Sequence, residues 1–353
     1  MSAKSLPKSQ KAARYFPKEN KIRVETIPIP TPKSNELLIK VHSSSLCHSD
    51  TMLLEPNDAG LVLGEGTPVT IGHEATGTIL SIPDACTDNS LKVGSRIGFL
   101  CPVGVCYECE GCQIHNLHCE KGGVMAGFAA DGFFQEYVAS HWRNAHLLPD
   151  ELDVYTSAPL FCAGTTAWSG VVGAGIKEGE WIAIIGCGGL GHLGIQYAKA
   201  LGYKVIGIDL GEDQLQDAKA CGADHTFNPM ADKDYISKIK EITNGGCHAA
   251  VNFTASKRAY ESTPPLLRIN GIMMVVGIPN EPLAFSPMDV AMMKYRIGGG
   301  NNGTPSNLGP MIEFSAKHGI VPHVTNYKIE QIQEMIDLVR EGKAKGRLAV
   351  KWD

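Results

Sequence analysis

At 353 residues the chain is long for a single hydrophobic core and points to two modules. With 43% hydrophobic and 20% charged residues, and no apolar run of the roughly 18 residues a bilayer span needs, it reads as globular and not membrane-spanning. A net charge of -5 with no dense run of Lys and Arg disfavours nucleic acid as a partner.

The first twenty residues lack an apolar core followed by a small-residue cleavage site, so the expected compartment is the cytoplasm. To about residue 160 the chain shows short apolar runs broken by Gly, Pro and Asn: ELLIKV at 36–41, TGTILSI at 76–82 and RIGFL at 96–100. Frequent turn chemistry with little helical periodicity predicts a β-rich, barrel-like module. From residue 180 the character changes. The runs WIAII at 181–185, KVIGI at 204–208, AAVNF at 249–253 and IMMVV at 272–276 are separated by helical patterns, among them 190–201 and 213–221. Alternating strands and helices predict an α/β fold with a doubly wound parallel sheet. The tail adds a helix at 330–341 and a strand, RLAVK, at 347–351.

Directly after WIAII stand Gly186, Cys187, Gly188, Gly189, Leu190 and Gly191, and then a helix in which Ile195, Ala198 and Leu201 share a face. A G-x-G-x-x-G string is weak alone, but between a strand and a helix it supplies a tight turn, close approach to a pyrophosphate and close helix packing. KVIGI ends on Asp209, about 20 residues past the glycines, where a carboxylate accepts both ribose hydroxyls of NAD and repels the extra phosphate of NADP. The plainer alternative is a glycine turn with Asp209 capping the next helix.

The 11 cysteines are an odd number, and four crowd between Cys106 and Cys119, a distribution that suits metal ligation better than a disulfide framework. Cys106, Cys109 and Cys112, at intervals of three, form the firm part of a structural zinc site, and the fourth thiolate comes from Cys119 or from its rival Cys101. A free cysteine cluster is the alternative. Cys47-His48-Ser49-Asp50, Gly72-His73-Glu74 and Phe161-Cys162-Ala163-Gly164-Thr165-Thr166 each carry a possible ligand. Taken singly they are weak, since a buried Cys is usually a small hydrophobe and a lone His a satisfied core residue.

Together, these motifs resemble the medium-chain zinc-dependent alcohol dehydrogenases, closest to the yeast-type microbial branch, from Cys47 through the cysteine lobe and the glycine string to Gly346-Arg347. The resemblance implies a GroES-like catalytic domain over 1–160 and 299–353, a Rossmann coenzyme domain over 161–298, and an active site in the cleft between them. It implies two zinc ions per chain and NAD as coenzyme. Cys47, His73 and Cys162 match the catalytic zinc ligands, the two-thiolate, one-imidazole set known from alcohol dehydrogenases, with a fourth position open to substrate. Glu74 matches the carboxylate behind the zinc, and Asp50 the carboxylate that orients the zinc-bound histidine. Ser49 matches the hydroxyl that relays the substrate proton. His48 and Arg347 match residues at the coenzyme pyrophosphate, and Thr166 one that packs on the nicotinamide. The implied reaction is hydride transfer between a primary or secondary alcohol and NAD, with aldehyde or ketone reduction in reverse.

Three departures qualify the match. Met52 stands where the family usually has the histidine that ends the proton relay. The loop between Cys112 and Cys119 is one residue shorter than usual. The stretch 53–69 lacks the tryptophan that narrows the pocket of yeast-type ethanol enzymes, which implies an alcohol larger than ethanol. Polyol dehydrogenases generally carry a glutamate at the position of Cys162, and cinnamyl-type enzymes generally replace Asp209. Without the long insertion of dimeric animal enzymes, the chain resembles the tetrameric branch, with a homodimer as the alternative oligomer.

Overall fold

The computed structural model describes residues 6–54 and 66–352. The chain divides into two compact units, Met1–Cys162 with Gly303–Ala316 and Val321–Asp353, and Ala163–Asn302 with Lys317–Ile320. No helix among the described residues is long and apolar enough to cross a membrane.

The first unit is built round the strand Glu36–Leu46, which pairs antiparallel with Glu74–Ser81 and Tyr137–His141 and, at its far end, with Arg347–Lys351. Flanked on both sides, this strand buries Leu37, Ile39 and Val41 completely, and its run of apolar and small residues suits a position with no solvent face. The C-terminal strand thus completes a sheet begun by residues near the N-terminus, with Leu348 opposite Leu46. Phe99 and Phe133 meet edge to face at 4.6 Å in the core beneath, a geometry worth about 1 kcal/mol beyond the area it buries. A hairpin, Ser9–Phe16 with Lys21–Pro28, was not among the predicted strands. Its buried positions include Gln10, whose amide donates to the Gln135 carbonyl oxygen at 2.8 Å, so polar pairing hides the expected apolar alternation.

In the second unit six parallel strands run in the order His225–Phe227, Lys204–Ile208, Trp181–Ile185, Cys247–Asn252, Leu267–Val275, Tyr295–Gly299. This is the doubly wound order, in which chain direction across the sheet reverses beside Trp181–Ile185 and opens a crevice at the strands' C-terminal ends. Ile182, Ala183 and Ile184 are fully buried, as a strand covered on both faces requires. The predicted helices appear as Gly191–Ala200, Glu212–Ala220 and Ile332–Arg340, each within two or three residues of its expected ends. The helix Pro305–His318 was not predicted; Pro310 within it masks the pattern.

Candidate active site and metal centres

Cys47 directly follows the central strand of the first unit and caps the short helix His48–Thr51. Within that turn Asp50 takes two partners at once. One carboxylate oxygen accepts the Cys47 amide at 2.8 Å, and the other lies 2.8 Å from Nδ1 of His73. Because a carboxylate only accepts, Nδ1 carries a proton, and whenever the ring is neutral Nε2 is the nitrogen that keeps the lone pair. Burial pulls the His73 pKa down, but the charge and hydrogen bond of Asp50 outweigh it and hold it well above the ordinary value.

Cys162 arrives from a different direction, at the end of the turn Ala158–Phe161. That turn lies flat on the sheet because Gly98 has no side chain: a Cβ there would sit 1.9 Å from the Phe161 ring. As a result, Cys47, His73, Glu74 and Cys162 offer ligand atoms that all lie within 4.8 Å of one another. The hydrogen bond between the two thiols holds Cys47 well below its ordinary pKa and Cys162 well above, the pattern of a pair sharing one proton. Ser49 Oγ stands 3.8 Å from Cys47 Sγ, at the rim of the group and partly exposed.

Glu74 is fully buried, and Arg347 Nη2 lies 2.5 Å from each of its oxygens. Ser45 also donates to Glu74. Desolvation pushes the Glu74 carboxyl up to about 7 in spite of the opposing pull of Arg347. The structure therefore gives Arg347, expected at a pyrophosphate, a carboxylate partner that the sequence did not announce, and among the described residues its buried Nε has no hydrogen-bond partner. Ser45, and Phe128 with its ring 5.5 Å from that of His73, are further neighbours that the sequence reading missed. Their placement follows from strand register and tertiary packing, which leave no local motif.

The second cluster is local. Cys106, Cys109, Cys112 and Cys119 also gather within 4.8 Å of one another. Two sulfurs bound to one tetrahedral zinc lie roughly 3.8 Å apart, given Zn–S bonds of about 2.3 Å. Cys106 and Cys112 are 3.9 Å apart, and Cys106 and Cys119 3.6 Å, so the donors fit that ion. The turn Asn116–His118 brings Cys119 in despite the short loop. Tyr107 holds the left-handed conformation at the knuckle, φ 63°, tied down by its hydroxyl on Asn144 Oδ1 at 2.9 Å. Amides of Glu108 and Cys109 bring the Cys106 pKa down to about 6. Cys101 instead sits in the first unit's core, where burial pushes its thiol up to about 11. Among the described residues it is Cys119 that completes the four.

In the second unit Gly186, φ 84°, turns the chain out of its strand, and a Cβ on Gly191 would lie 1.9 Å from the Gly186 carbonyl oxygen. Gly188 faces open space, with nothing within 4 Å of where its Cβ would be. Among the described residues, the amides of Gly188, Gly189 and Leu190 have no acceptor in the protein. Such amides at the start of a helix make an anion cradle. Asp209 closes its side, accepting from the amides of Cys187 at 2.7 Å and Gly211 at 2.9 Å. Thr166 lies half-buried in the helix Ala163–Val172, and His48 is exposed in the first unit.

These features have counterparts among known proteins. Residues 33–150 match the alcohol dehydrogenase GroES-like domain, and residues 189–317 the zinc-binding dehydrogenases. An alcohol dehydrogenase of Geobacillus stearothermophilus is 33% identical over 333 residues, covering 94% of this chain and 96% of the relative. The chain belongs to the medium-chain zinc-type alcohol dehydrogenase family. Its fold superposes on the alcohol dehydrogenase of the hyperthermophilic archaeon Aeropyrum pernix with a TM-score of 0.86 at 26% identity, over 97% of this chain and 100% of that one. The 2R,3R-butanediol dehydrogenase of Bacillus subtilis gives a TM-score of 0.83 at 26% identity, over 98% and 100%. As a member of this oxidoreductase family, the chain carries the family's two-part α/β architecture.

Residues 55–65, which make up most of the stretch without the expected tryptophan, lie outside the described residues.

Proposed function

We propose that this chain is a zinc-dependent, NAD-linked alcohol dehydrogenase acting on primary or secondary alcohols larger than ethanol, and on the aldehyde or ketone in reverse. The observation that carries this reading is the convergence of Cys47, His73 and Cys162 on one point, with the Ser49 hydroxyl at its edge. When bound, zinc supplies Lewis acidity that favours the deprotonated alcohol, and the nicotinamide accepts the hydride. The butanediol dehydrogenase among its relatives supports including secondary alcohols.

The chain's own residues divide the rest of the work. Cys47, His73 and Cys162 hold the metal, with Glu74 behind it. Asp50 fixes the His73 ring so that Nε2 faces the site, while its hold on the Cys47 amide sets two ligands from one carboxylate. Ser49 Oγ takes the proton from the substrate hydroxyl and passes it outward. Cys106, Cys109, Cys112 and Cys119 hold the second zinc, whose task is to fold the lobe.

The amides of Gly188, Gly189 and Leu190 would hold the coenzyme's pyrophosphate, with Gly186 and Gly191 shaping the turn and His48 and Arg347 as its further partners. Asp209 accepts the ribose hydroxyls and disfavours NADP, and Thr166 packs against the nicotinamide. Catalytic and coenzyme roles divide between residues 1–160 with 299–353 and residues 161–298.

A cytoplasmic homo-oligomer, tetramer over dimer, is the expected form. Ile269, Met292 and Ile297 are exposed at and beside the edge strand Tyr295–Gly299, and an apolar open edge is what self-association covers. An NAD-reduction screen across alcohols of graded size, combined with metal analysis, tests the reading. Turnover that rises beyond ethanol with about two zinc ions per chain is expected; activity with NADP alone, or full activity in metal-free protein, overturns it.

A further inference from the structure

We propose that His192 is a positioning residue for the coenzyme's diphosphate, acting through the backbone of the glycine loop. The inference rests on the dinucleotide reading above and adds a residue to it. His192 is the second residue of the helix Gly191–Ala200 and is fully buried.

Its Nδ1 lies 3.1 Å from the carbonyl oxygen of Gly188. A carbonyl only accepts, so Nδ1 carries the proton and donates. The same oxygen also accepts the His192 amide at 3.0 Å, and these two bonds draw it towards the helix. The peptide linking Gly188 to Gly189 is planar and trans, so its N–H points opposite to its C=O. Pinning the Gly188 carbonyl towards the helix therefore aims the Gly189 amide away from it, and among the described residues that amide has no acceptor. A glycine-rich loop has wide conformational freedom, and fixing one of its peptide planes reduces what is lost when an anion binds.

Three variants of the full-length enzyme separate this role from packing alone. His192→Leu fills the volume without a donor, His192→Asn retains an amide N–H at the Nδ1 position, and His192→Gln moves it to the Nε2 position. Affinities for ADP-ribose and for adenosine are measured by calorimetry, with coenzyme kinetics and circular dichroism alongside. ADP-ribose should bind Leu and Gln variants about fivefold more weakly and the Asn variant within about twofold of wild type. Adenosine affinity should hold throughout, and KM for NAD should rise more than kcat falls. If His192→Leu does not fold, the Asn and Gln pair carries the test. Equal ADP-ribose affinity in Asn and Gln variants, or equal losses for adenosine and ADP-ribose, overturns the proposal and leaves the dinucleotide reading standing. A wild type that binds no ADP-ribose overturns both.

Discussion

The two cysteine clusters of the first unit use similar donors and are assembled in opposite ways. The lobe cluster draws on one stretch, in which Cys106 and Cys119 are 13 positions apart, and its apolar support is small: Val105, Cys112 and Cys119, with Cys106, Tyr107 and Cys109 packed against them. Cys47, His73 and Cys162 come from distant segments, with Cys47 next to Leu46 and His73 against Phe128, both members of the large core. A cluster that lacks a core needs its ion in order to fold, whereas a cluster mounted on a core has its geometry without one. In the proposed reading, similar sulfur chemistry thus serves stability in one place and reactivity in the other.

The largest expected effect is at the core-mounted group. Cys162→Ala should bring turnover below detection while circular dichroism is unchanged and one of two zinc ions remains. Cys109→Ser should reverse the balance, with a thermal midpoint several degrees lower and residual activity in the folded fraction, because the lost ion was contributing folding free energy. Equal metal loss with equal unfolding in both variants would erase the distinction.

The comparison also explains what could be read from the sequence. The lobe, the glycine string and Asp209 were legible because their partners lie close along the chain and their spacing has a direct physical meaning. The doubly wound sheet was legible from its compact apolar runs, and WIAII and KVIGI fall on the observed strands. The core-mounted ligands were recognisable only as a set resembling a family. The pairing of Arg347 with Glu74, across a separation of 273 residues, depends on the C-terminal strand entering the sheet beside Glu36–Leu46, which no local pattern encodes. The Ser9–Phe16 hairpin stayed hidden because Gln10 and Gln135 satisfy each other inside the protein.

A smaller effect is expected in the second unit, where a local motif again sets the chemistry. Asp209 accepts two backbone amides, which orient its carboxylate beside the glycine loop. Asp209→Ser removes both the ribose acceptor and the charge that repels a 2′-phosphate. The ratio of NAD to NADP efficiency should fall at least about tenfold, or about 1.4 kcal/mol, and steady-state kinetics with both coenzymes measure it. A wild type that already prefers NADP would sink this assignment. Some loss of stability should accompany the change, because the Cys187 and Gly211 amides lose their acceptor.

The smallest effect is expected at Met52, where the core-mounted site departs from its family. Met52 follows the short helix directly, and its amide donates to the Ser49 carbonyl at 3.1 Å, so its backbone is held one turn from Ser49. A thioether cannot accept a proton at physiological pH, so in the proposed mechanism the proton leaving Ser49 passes to another acceptor. General base assistance is typically worth about 10²–10⁴-fold where proton transfer limits the rate. Hydride transfer or coenzyme release absorbs much of that gain when either is slower. Met52→His should therefore raise alcohol oxidation only severalfold. The gain should be greatest just below neutral pH, where a free alcohol is hardest to deprotonate and an imidazole of pKa about 6.5 is still partly neutral. It should fade at more acid pH as the ring protonates, and aldehyde reduction at saturating NADH should change less. Met is also a common gap-filler, and if Met52 only lines an apolar wall, the histidine variant should bind hydrophobic alcohols more weakly at every pH. Profiles of kcat/KM from acid to alkaline pH for both proteins decide between these roles. A ratio that changes with an ionisation near neutrality supports a new relay terminus, and a ratio flat across the range removes it.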